Sequence, residues 1–159
     1  MDKKKLIESI ISQLEVELSA AKATAKISRE AATNEESRPE NEYDTRALEA
    51  SYLAGAQSKR VVEIEDVITV YKFVQIKNFK ADEAISSTAL VEVELDGKSS
   101  YLFVMSKGGG LNFKFEGKNI QIVTPNSPLG ETLLGLHAGD TASVEIGATV
   151  KDYDIISVS

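Results

Sequence analysis

The chain has 159 residues, no cysteine and a formal net charge of -7. That length is enough for one large domain or two small ones, and the lack of cysteine excludes a disulfide framework, a thiolate metal site and a thiol nucleophile. The negative charge argues against autonomous binding to nucleic acid, because phosphate contact needs a clustered positive surface. Lys3, Lys4 and Lys5 resemble the basic start of a signal peptide, but acidic and polar residues interrupt the following segment. We therefore expect no membrane association and a cytoplasmic location.

The first element in chain order is a long helix with a coiled-coil pattern. Its apolar residues alternate in steps of four and three, which keeps one apolar stripe facing a partner. The residues of this stripe are Ile7, Ile11, Leu14, Leu18, Ala21 and Ala25. The spacing predicts a helix of roughly 30 residues, about 45 Å long.

A second heptad stripe comes next, and it predicts that the chain folds back on itself. Its residues are Tyr43, Ala47, Ala50, Ala54, Gln57, Val61, Ile64, Ile68 and Tyr71. Both stripes thin to alanine toward the turn, so the two arms can approach closely there. The pattern favours an antiparallel hairpin within a monomer over residues 1–76, while a coiled coil joining two chains is the alternative.

The turn between the arms, residues 34–44, is strongly acidic, and we call it the acidic segment. Its carboxylates are opposed only by Arg38, and Pro39 interrupts any helix through them. These carboxylates belong to Glu35, Glu36, Glu40, Glu42 and Asp44. The segment is predicted to lie at the exposed end of the hairpin, where it is either functional or a solvated, solubilising end.

Residues 77–159 change to the period of two that is typical of strands. Leu90–Leu95 alternates, Asp96-Gly97 is the residue pair favoured in type I′ turns, and Tyr101–Met105 resumes a strand. Further strands are predicted at 111–115, 119–123, 143–146 and 153–158. The prediction is a mainly antiparallel sheet.

One short helix is predicted after the fourth strand. Ser127 suits an N-cap, Pro128 the first helical position and Gly135 the positive φ of a helix stop. Leu129, Leu133 and Leu134 would cover one face of the sheet. The fold class is therefore α+β, an N-terminal antiparallel helical hairpin followed by a sheet domain with one short helix.

Motifs in both halves are similar to those of the Gre family of bacterial transcript-cleavage factors. The acidic segment offers Glu36-Ser-Arg-Pro-Glu-Asn-Glu-Tyr-Asp, followed by Ser51-Tyr-Leu-Ala-Gly55, where the family commonly has D-L-x-E-N-A-E-Y-H-A-A and a Gly-Phe-x-x-Gly element. The C-terminal half offers Asn126-Ser-Pro-Leu-Gly and Leu134-Gly135-Leu-His-Ala-Gly-Asp140, similar to N-S-P-[IL]-[GA]...L-[IL]-G-x-x-x-G-D. The resemblance implies that residues 77–159 form an FKBP-like domain.

The resemblance also implies a partner and a mechanism. Such factors bind RNA polymerase, place the hairpin in its secondary channel and stimulate the polymerase's own cleavage of backtracked RNA. The isolated chain would then catalyse nothing and hold no stable cofactor, and its acids would share a second Mg²⁺ with the polymerase.

The resemblance assigns roles to individual residues of the acidic segment. It places Glu36 and Glu40 as the principal acids, Glu35 and Glu42 as weaker candidates, and Tyr43 as support. An ungapped alignment on Tyr43, however, puts Pro39 where the family has a glutamate. A polymerase regulator of the same fold without cleavage activity is therefore the main alternative.

Two further sets of residues are predicted contacts. Four basic residues could face nascent RNA or the channel wall within the polymerase complex, or could be exposed coiled-coil flanks; they are Lys22, Lys26, Arg29 and Arg46. The polymerase-docking candidates are Ser127, Pro128, Leu129 and Gly130. Outside this family, the chain could be a coiled-coil adaptor or an FKBP-like binding module.

Overall fold

A computed structural model describes residues 1–33 and 45–159. It contains two long helices, α1 (Lys3–Thr33) and α2 (Arg46–Phe73). Six strands and a short helix come after them, in the order β1 (Leu90–Leu95), β2 (Lys98–Val104), β3 (Asn112–Phe115), β4 (Lys118–Val123), α3 (Pro128–Leu133), β5 (Thr141–Ile146) and β6 (Thr149–Val158). The predicted α+β class, with long helices first and a sheet with one short helix after them, is confirmed.

The chain divides into two compact units. The helical unit is Ile10–Lys72, and the sheet unit combines Met1–Ser9 with Phe73–Ser159. The first turns of α1 thus belong with the sheet, although the helix itself is continuous to Thr33.

Within the helical unit, burial follows the predicted heptads closely. On α1, Leu14, Ala21 and Ala25 are buried, while the fully buried isoleucine is Ile10 and the predicted Ile11 is half-exposed. On α2, the predicted positions from Ala47 to Val61 are half-buried and those from Ile64 to Tyr71 are buried. The arms are antiparallel, because Glu15 pairs with Lys72 at 2.8 Å and Lys22 with Glu65 at 2.7 Å.

The sheet unit is built on six strands in the order β3-β4-β2-β1-β6-β5. All neighbouring pairs are antiparallel except β2 and β4, which run parallel. The predicted hairpin of β1 and β2 is confirmed, since Asp96 and Gly97 both have positive φ, as a type I′ turn requires. A mainly antiparallel sheet is therefore observed, and the parallel pair is the feature that local sequence patterns did not indicate.

One face of the sheet is covered by α3, and a core fills the space between them. The core includes Val91, Val93, Leu102 and Leu133, with Leu129 packed at its margin. Ser127 caps α3 as predicted, because its Oγ accepts a hydrogen bond from the Gly130 N–H at 3.1 Å. Gly135 comes after the helix with a φ of 85°, the predicted stop.

Gly130 is needed because another part of the backbone lies too close to it for a side chain. A Cβ atom at this position would lie 1.9 Å from the carbonyl oxygen of Thr124. That oxygen already accepts hydrogen bonds from the Ser127 N–H at 3.0 Å and the Ser127 hydroxyl at 2.8 Å. The segment from Thr124 to Gly130 is thus fixed by hydrogen bonds that join Thr124, Ser127 and Gly130.

Candidate functional site

The acidic segment joins the end of α1 to the start of α2. Its candidate acids and their support, namely Glu35, Glu36, Glu40, Glu42 and Tyr43, lie outside the described residues, so their predicted roles stay predictions. The described chain leaves α1 at Thr33 and resumes at Thr45, directly before Arg46 opens α2. The site is therefore built from the ends of two antiparallel helices.

The start of α2 is held by a local capping arrangement. The Glu49 N–H donates to the Thr45 carbonyl oxygen at 2.9 Å, and the Thr45 hydroxyl donates to the Glu49 carboxylate at 3.1 Å. A carboxylate in the first turn also suits the positive end of the helix dipole. These contacts define where the helix resumes after the acidic segment.

Three of the four predicted basic contacts come together on the helical unit. Lys22, Lys26 and Arg29 lie on one face of α1 and line a groove of about 400 Å³ between the arms. Val61 and Val62 of α2 form its apolar side. Arg46 does not line this groove and lies instead at the first position of α2.

Ion pairs reduce how freely two of these cations could bind an anion. Lys22 pairs with Glu65, and Lys26 lies 4.0 Å from Glu30 on its own helix. All four of these side chains are largely exposed, so each pair contributes at most about 1 kcal/mol and can rearrange. The groove is a basic surface that is partly neutralised by its own acids.

The predicted docking residues surround a second cavity, in the sheet unit. Ser127, Pro128 and Leu129 line it, while Gly130 is buried beneath and serves the fold. The cavity has a volume of about 630 Å³, and Gly109, Val144, Ile146 and Tyr153 complete much of its wall. Ser127 uses its hydroxyl in the α3 cap, so the side chains that remain for a partner are Pro128 and Leu129.

A buried lysine in the sheet unit was not expected from the sequence. Lys3 is only 7% exposed, and its Nζ donates hydrogen bonds to the carbonyl oxygens of Lys77 and of Thr88, the latter at 3.1 Å. The same Nζ lies 4.7 Å from the centre of the Phe79 ring. Burial, and secondarily the charge of Lys77, lowers the pKa of Lys3 to about 8.

Other features of functional interest also escaped the sequence patterns. Several large apolar side chains of the helical unit are exposed, among them Leu48, Tyr52 and Leu53 at the start of α2. Leu48 and Tyr52 could have been found from the sequence, because two apolar residues four apart lie on one face of a helix, here outside the heptad stripe of α2. The cavity of the sheet unit had no local signal, because its walls come from distant segments.

The part of the chain that the structure describes offers neither a metal cluster nor a membrane span. Within residues 1–33 and 45–159, no group of three or more histidine, cysteine or acidic side chains could hold a metal ion. No helix in those two ranges is both long and apolar enough to cross a membrane.

Comparison with known proteins gives structural neighbours only. No family model and no curated protein matches the chain. Among solved structures, Gfh1 of Thermus aquaticus is 23% identical, with 98% of this chain and 92% of that chain covered and a TM-score of 0.38. The GreA factor homolog Gfh1 of Thermus thermophilus is 16% identical, with 94% of each chain covered and a TM-score of 0.38.

A third neighbour is the prokaryotic transcription elongation factor GreA/GreB from Nitrosomonas europaea. It is 15% identical, 70% of this chain and 92% of that chain are covered, and the TM-score is 0.37. At TM-scores this low, a functional assignment has to rest on the residues of this chain.

Proposed function

We propose that this protein is a regulator of bacterial RNA polymerase that stimulates cleavage of backtracked RNA. The observation that carries the proposal is the position of the acidic segment in the chain. Five carboxylates and one guanidinium lie on the connection between two antiparallel helices. Motifs similar to those of the Gre family in both halves of the chain support the same function.

In this proposal the long helices carry the acidic segment into the polymerase, and the carboxylates of that segment bind a metal ion. From Ile10 to Thr33, α1 is about 36 Å long, enough to carry the segment into a deep channel. Glu36 and Glu40, with Glu35 and Glu42 as further candidates, would offer carboxylate oxygens to a Mg²⁺ ion shared with the polymerase, the ligand type that Mg²⁺ prefers. When bound there, a second Mg²⁺ can activate water and stabilise a leaving oxygen.

The remaining predicted contacts have places in this proposal. Lys22, Lys26 and Arg29 would meet RNA or the channel wall through the groove between the arms, and Arg46 would do so at the start of α2. Pro128 and Leu129 would dock on the polymerase beside the cavity of the sheet unit. The chain would act as a cytoplasmic monomer and would not be an enzyme by itself.

The test uses elongation complexes assembled with polymerase from the same organism and backtracked on a defined template. With the protein and Mg²⁺ present, we expect release of short 3′ RNA fragments. Glu36→Gln and Glu40→Gln should abolish release without loss of polymerase binding, because each removes one charged ligand. Glu8→Gln is the matched control, since Glu8 is an exposed acid of α1 outside both the acidic segment and the basic groove.

A second candidate is a regulator that binds the polymerase without stimulating cleavage. The observation that favours it is Pro39, which occupies the place of a family glutamate in the ungapped alignment. In that case the protein binds and slows elongation or initiation, but no fragments appear. If the protein neither binds the polymerase nor changes transcription, both candidates fail and a coiled-coil adaptor or an FKBP-like binding module becomes the better description.

A further inference from the structure

One face of α2 carries a row of exposed residues of mixed chemical character. Leu48, Tyr52, Gly55 and Lys59 succeed one another in steps of four, three and four, which places them on one side of the helix. All four are exposed; Tyr52 is 72% and Leu48 54% accessible. The half-buried residues of the second heptad stripe, Ala47, Ala50 and Ala54, lie on another side of the helix. We call the four residues the Tyr52 face.

Gly55 is the most informative member of this face. It lies in the interior of α2, where glycine is less favourable than alanine because it adds backbone freedom to the unfolded chain. Its φ is not positive, and a Cβ atom added there would have no neighbour within 4 Å. Neither backbone conformation nor packing within the described chain therefore explains the glycine.

Gly55, with open space around it, lies about one helical turn after Tyr52 along α2, and Lys59 lies about one turn further. An exposed aromatic ring offers a stacking surface for an unpaired base, and an empty position beside it lets the base lie close to the helix. The Lys59 side chain is 78% exposed, and its ammonium is only weakly paired with Glu63 at 3.7 Å, so it can meet a phosphate. Ring, space and cation together suit a single-stranded nucleotide.

A protein surface is a poorer match for the Tyr52 face. A stable protein interface buries on the order of 1,000 Å² or more and has an apolar centre without charges. Here the apolar residues Leu48 and Tyr52 are followed by a glycine and a lysine. The negative charge of the chain also means that RNA would meet this face only when another protein holds it there.

We infer that the Tyr52 face stacks an unpaired base of the backtracked RNA strand, with Lys59 on the adjacent phosphate. The inference rests on the proposed function, because the polymerase is what brings the RNA strand to the hairpin. Backtracking supplies the unpaired 3′ nucleotides that stacking requires. Tyr52 lies fewer than two helical turns from Arg46, the first residue of α2, so a base stacked on it would position the strand relative to the acidic segment.

The experiment compares two elongation complexes that differ only in the RNA 3′ end. In one complex the end is paired in the active site, and in the other it is mismatched and backtracked. Binding of the full chain is measured for the unaltered protein and for Tyr52→Ala, Tyr52→Phe and Gly55→Leu. Phe73→Ala is the matched control, because Phe73 is an exposed aromatic at the other end of α2 and is 81% accessible.

We expect Tyr52→Ala to weaken binding to the backtracked complex by about tenfold, the loss of one stacked base, and to leave the paired complex unchanged. Tyr52→Phe should keep the binding, since it keeps the ring, whereas Gly55→Leu should lose it by filling the space. With 4-thiouridine as the 3′ nucleotide, irradiation should cross-link the RNA to α2 around Tyr52. Circular dichroism should show that every variant keeps its helices.

Other outcomes overturn the inference in distinguishable ways. Equal weakening on both complexes would mean that Tyr52 contacts a protein wall of the channel and not RNA. Unchanged binding by Tyr52→Ala would mean that the face has no ligand, while the proposed function stands. If the unaltered chain binds neither complex, the proposed function has failed and the inference falls with it.

Discussion

The sheet unit and the helical unit differ in how much of their sequence the fold explains. In the sheet unit, Ser127 caps a helix, Asp96 and Gly97 make a turn, and Gly130 admits a carbonyl oxygen. In the helical unit, packing between the arms explains the heptad stripes, but it does not explain the exposed Tyr52 or Gly55. Residues that a fold leaves unexplained are candidates for contacts with other molecules, and here they concentrate in the helical unit.

The largest effect should come from removing a core side chain of the sheet unit. Leu133, the last residue of α3, is fully buried in the core between that helix and the sheet. Leu133→Ala should destabilise the protein by about 2–5 kcal/mol, through lost burial and the cavity left behind. Urea unfolding followed by tyrosine fluorescence measures this. Leu134→Ala is the control, because Leu134 is 37% exposed and should change stability far less.

Gly130→Ala should cause the next largest loss of stability. It tests whether the close approach of the Thr124 carbonyl oxygen to Gly130 fixes the cap of α3. The new methyl group would collide with the Thr124 carbonyl oxygen, so the segment must shift and strain the Ser127 hydrogen bonds. We expect a loss of about 1–3 kcal/mol in unfolding free energy. If the substitution leaves the unfolding free energy unchanged, the segment from Thr124 to Gly130 can shift without cost. Close backbone approach would then not explain the glycine at position 130.

Lys3→Met should cost about 1–3 kcal/mol, because the carbonyl oxygens of Lys77 and Thr88 lose their Lys3 donor. The substitution also tests a pH dependence. The pKa of Lys3 is about 8 in the folded protein, below the ordinary 10.5, so the folded state loses this proton first. The contribution of Lys3 to stability should therefore increase as pH rises from about 8 toward 10.5.

The measurement for Lys3 is the difference in unfolding free energy between the unaltered chain and Lys3→Met at several pH values. Taking the difference cancels the other lysines that titrate in the same range. Lys4→Met provides the comparison, because Lys4 is exposed and adjacent. A Lys3 contribution that falls over this range would show that the folded state favours the charged ammonium, contrary to the effect of burial.

Gly55→Ala should have the opposite sign from Gly130→Ala. It replaces a helix-interior glycine in open space, so it should stabilise the helical unit by about 0.5–1 kcal/mol. Thermal unfolding followed by circular dichroism at 222 nm would detect the gain. A destabilised Gly55→Ala would mean that the space is needed by the fold, and the contrast between the two glycines would disappear.

The smallest effect should come from the ion pair that joins the arms. Lys22→Ala, Glu65→Ala and the double variant form a cycle whose coupling free energy should be about 0–1 kcal/mol, since both side chains are exposed. Raising the salt concentration should reduce it further. A coupling free energy of several kcal/mol would show that charges, and not the packing of the two heptad stripes, hold the arms together.

How much of the fold could be predicted depended on how local each signal was. The Asp96-Gly97 turn and the Ser127 cap lie within a few neighbouring residues, so the sequence indicated them directly. The heptad spacing predicted the apolar stripes. It could not decide which of the adjacent Ile10 and Ile11 is buried, because both are isoleucines. The parallel pairing of β2 and β4 depends on residues far apart in sequence, which no local pattern reports.

The candidate site was less predictable than the fold, for the same reason. Lys3 lies in a run of three lysines that looks like an exposed terminus, and only the carbonyl oxygens of Lys77 and Thr88 explain its burial. The groove could be anticipated in part, because Lys22, Lys26 and Arg29 follow helical spacing. Its apolar side comes from α2, whose alignment with α1 the sequence patterns did not define residue by residue.

The place of Lys3 also bears on the order in which the chain is made. Residues 1–9 leave the ribosome before their sheet-unit partners, because Lys77 and Thr88 are synthesised 74 and 85 residues after Lys3. The start of α1 must therefore wait, without its final neighbours, while the whole helical unit is translated. Closing so long a loop late is slow relative to local helix formation. A fragment beginning at residue 77 would lack Lys3, Leu6 and Ile7 and should require them as a separate peptide to complete its packing.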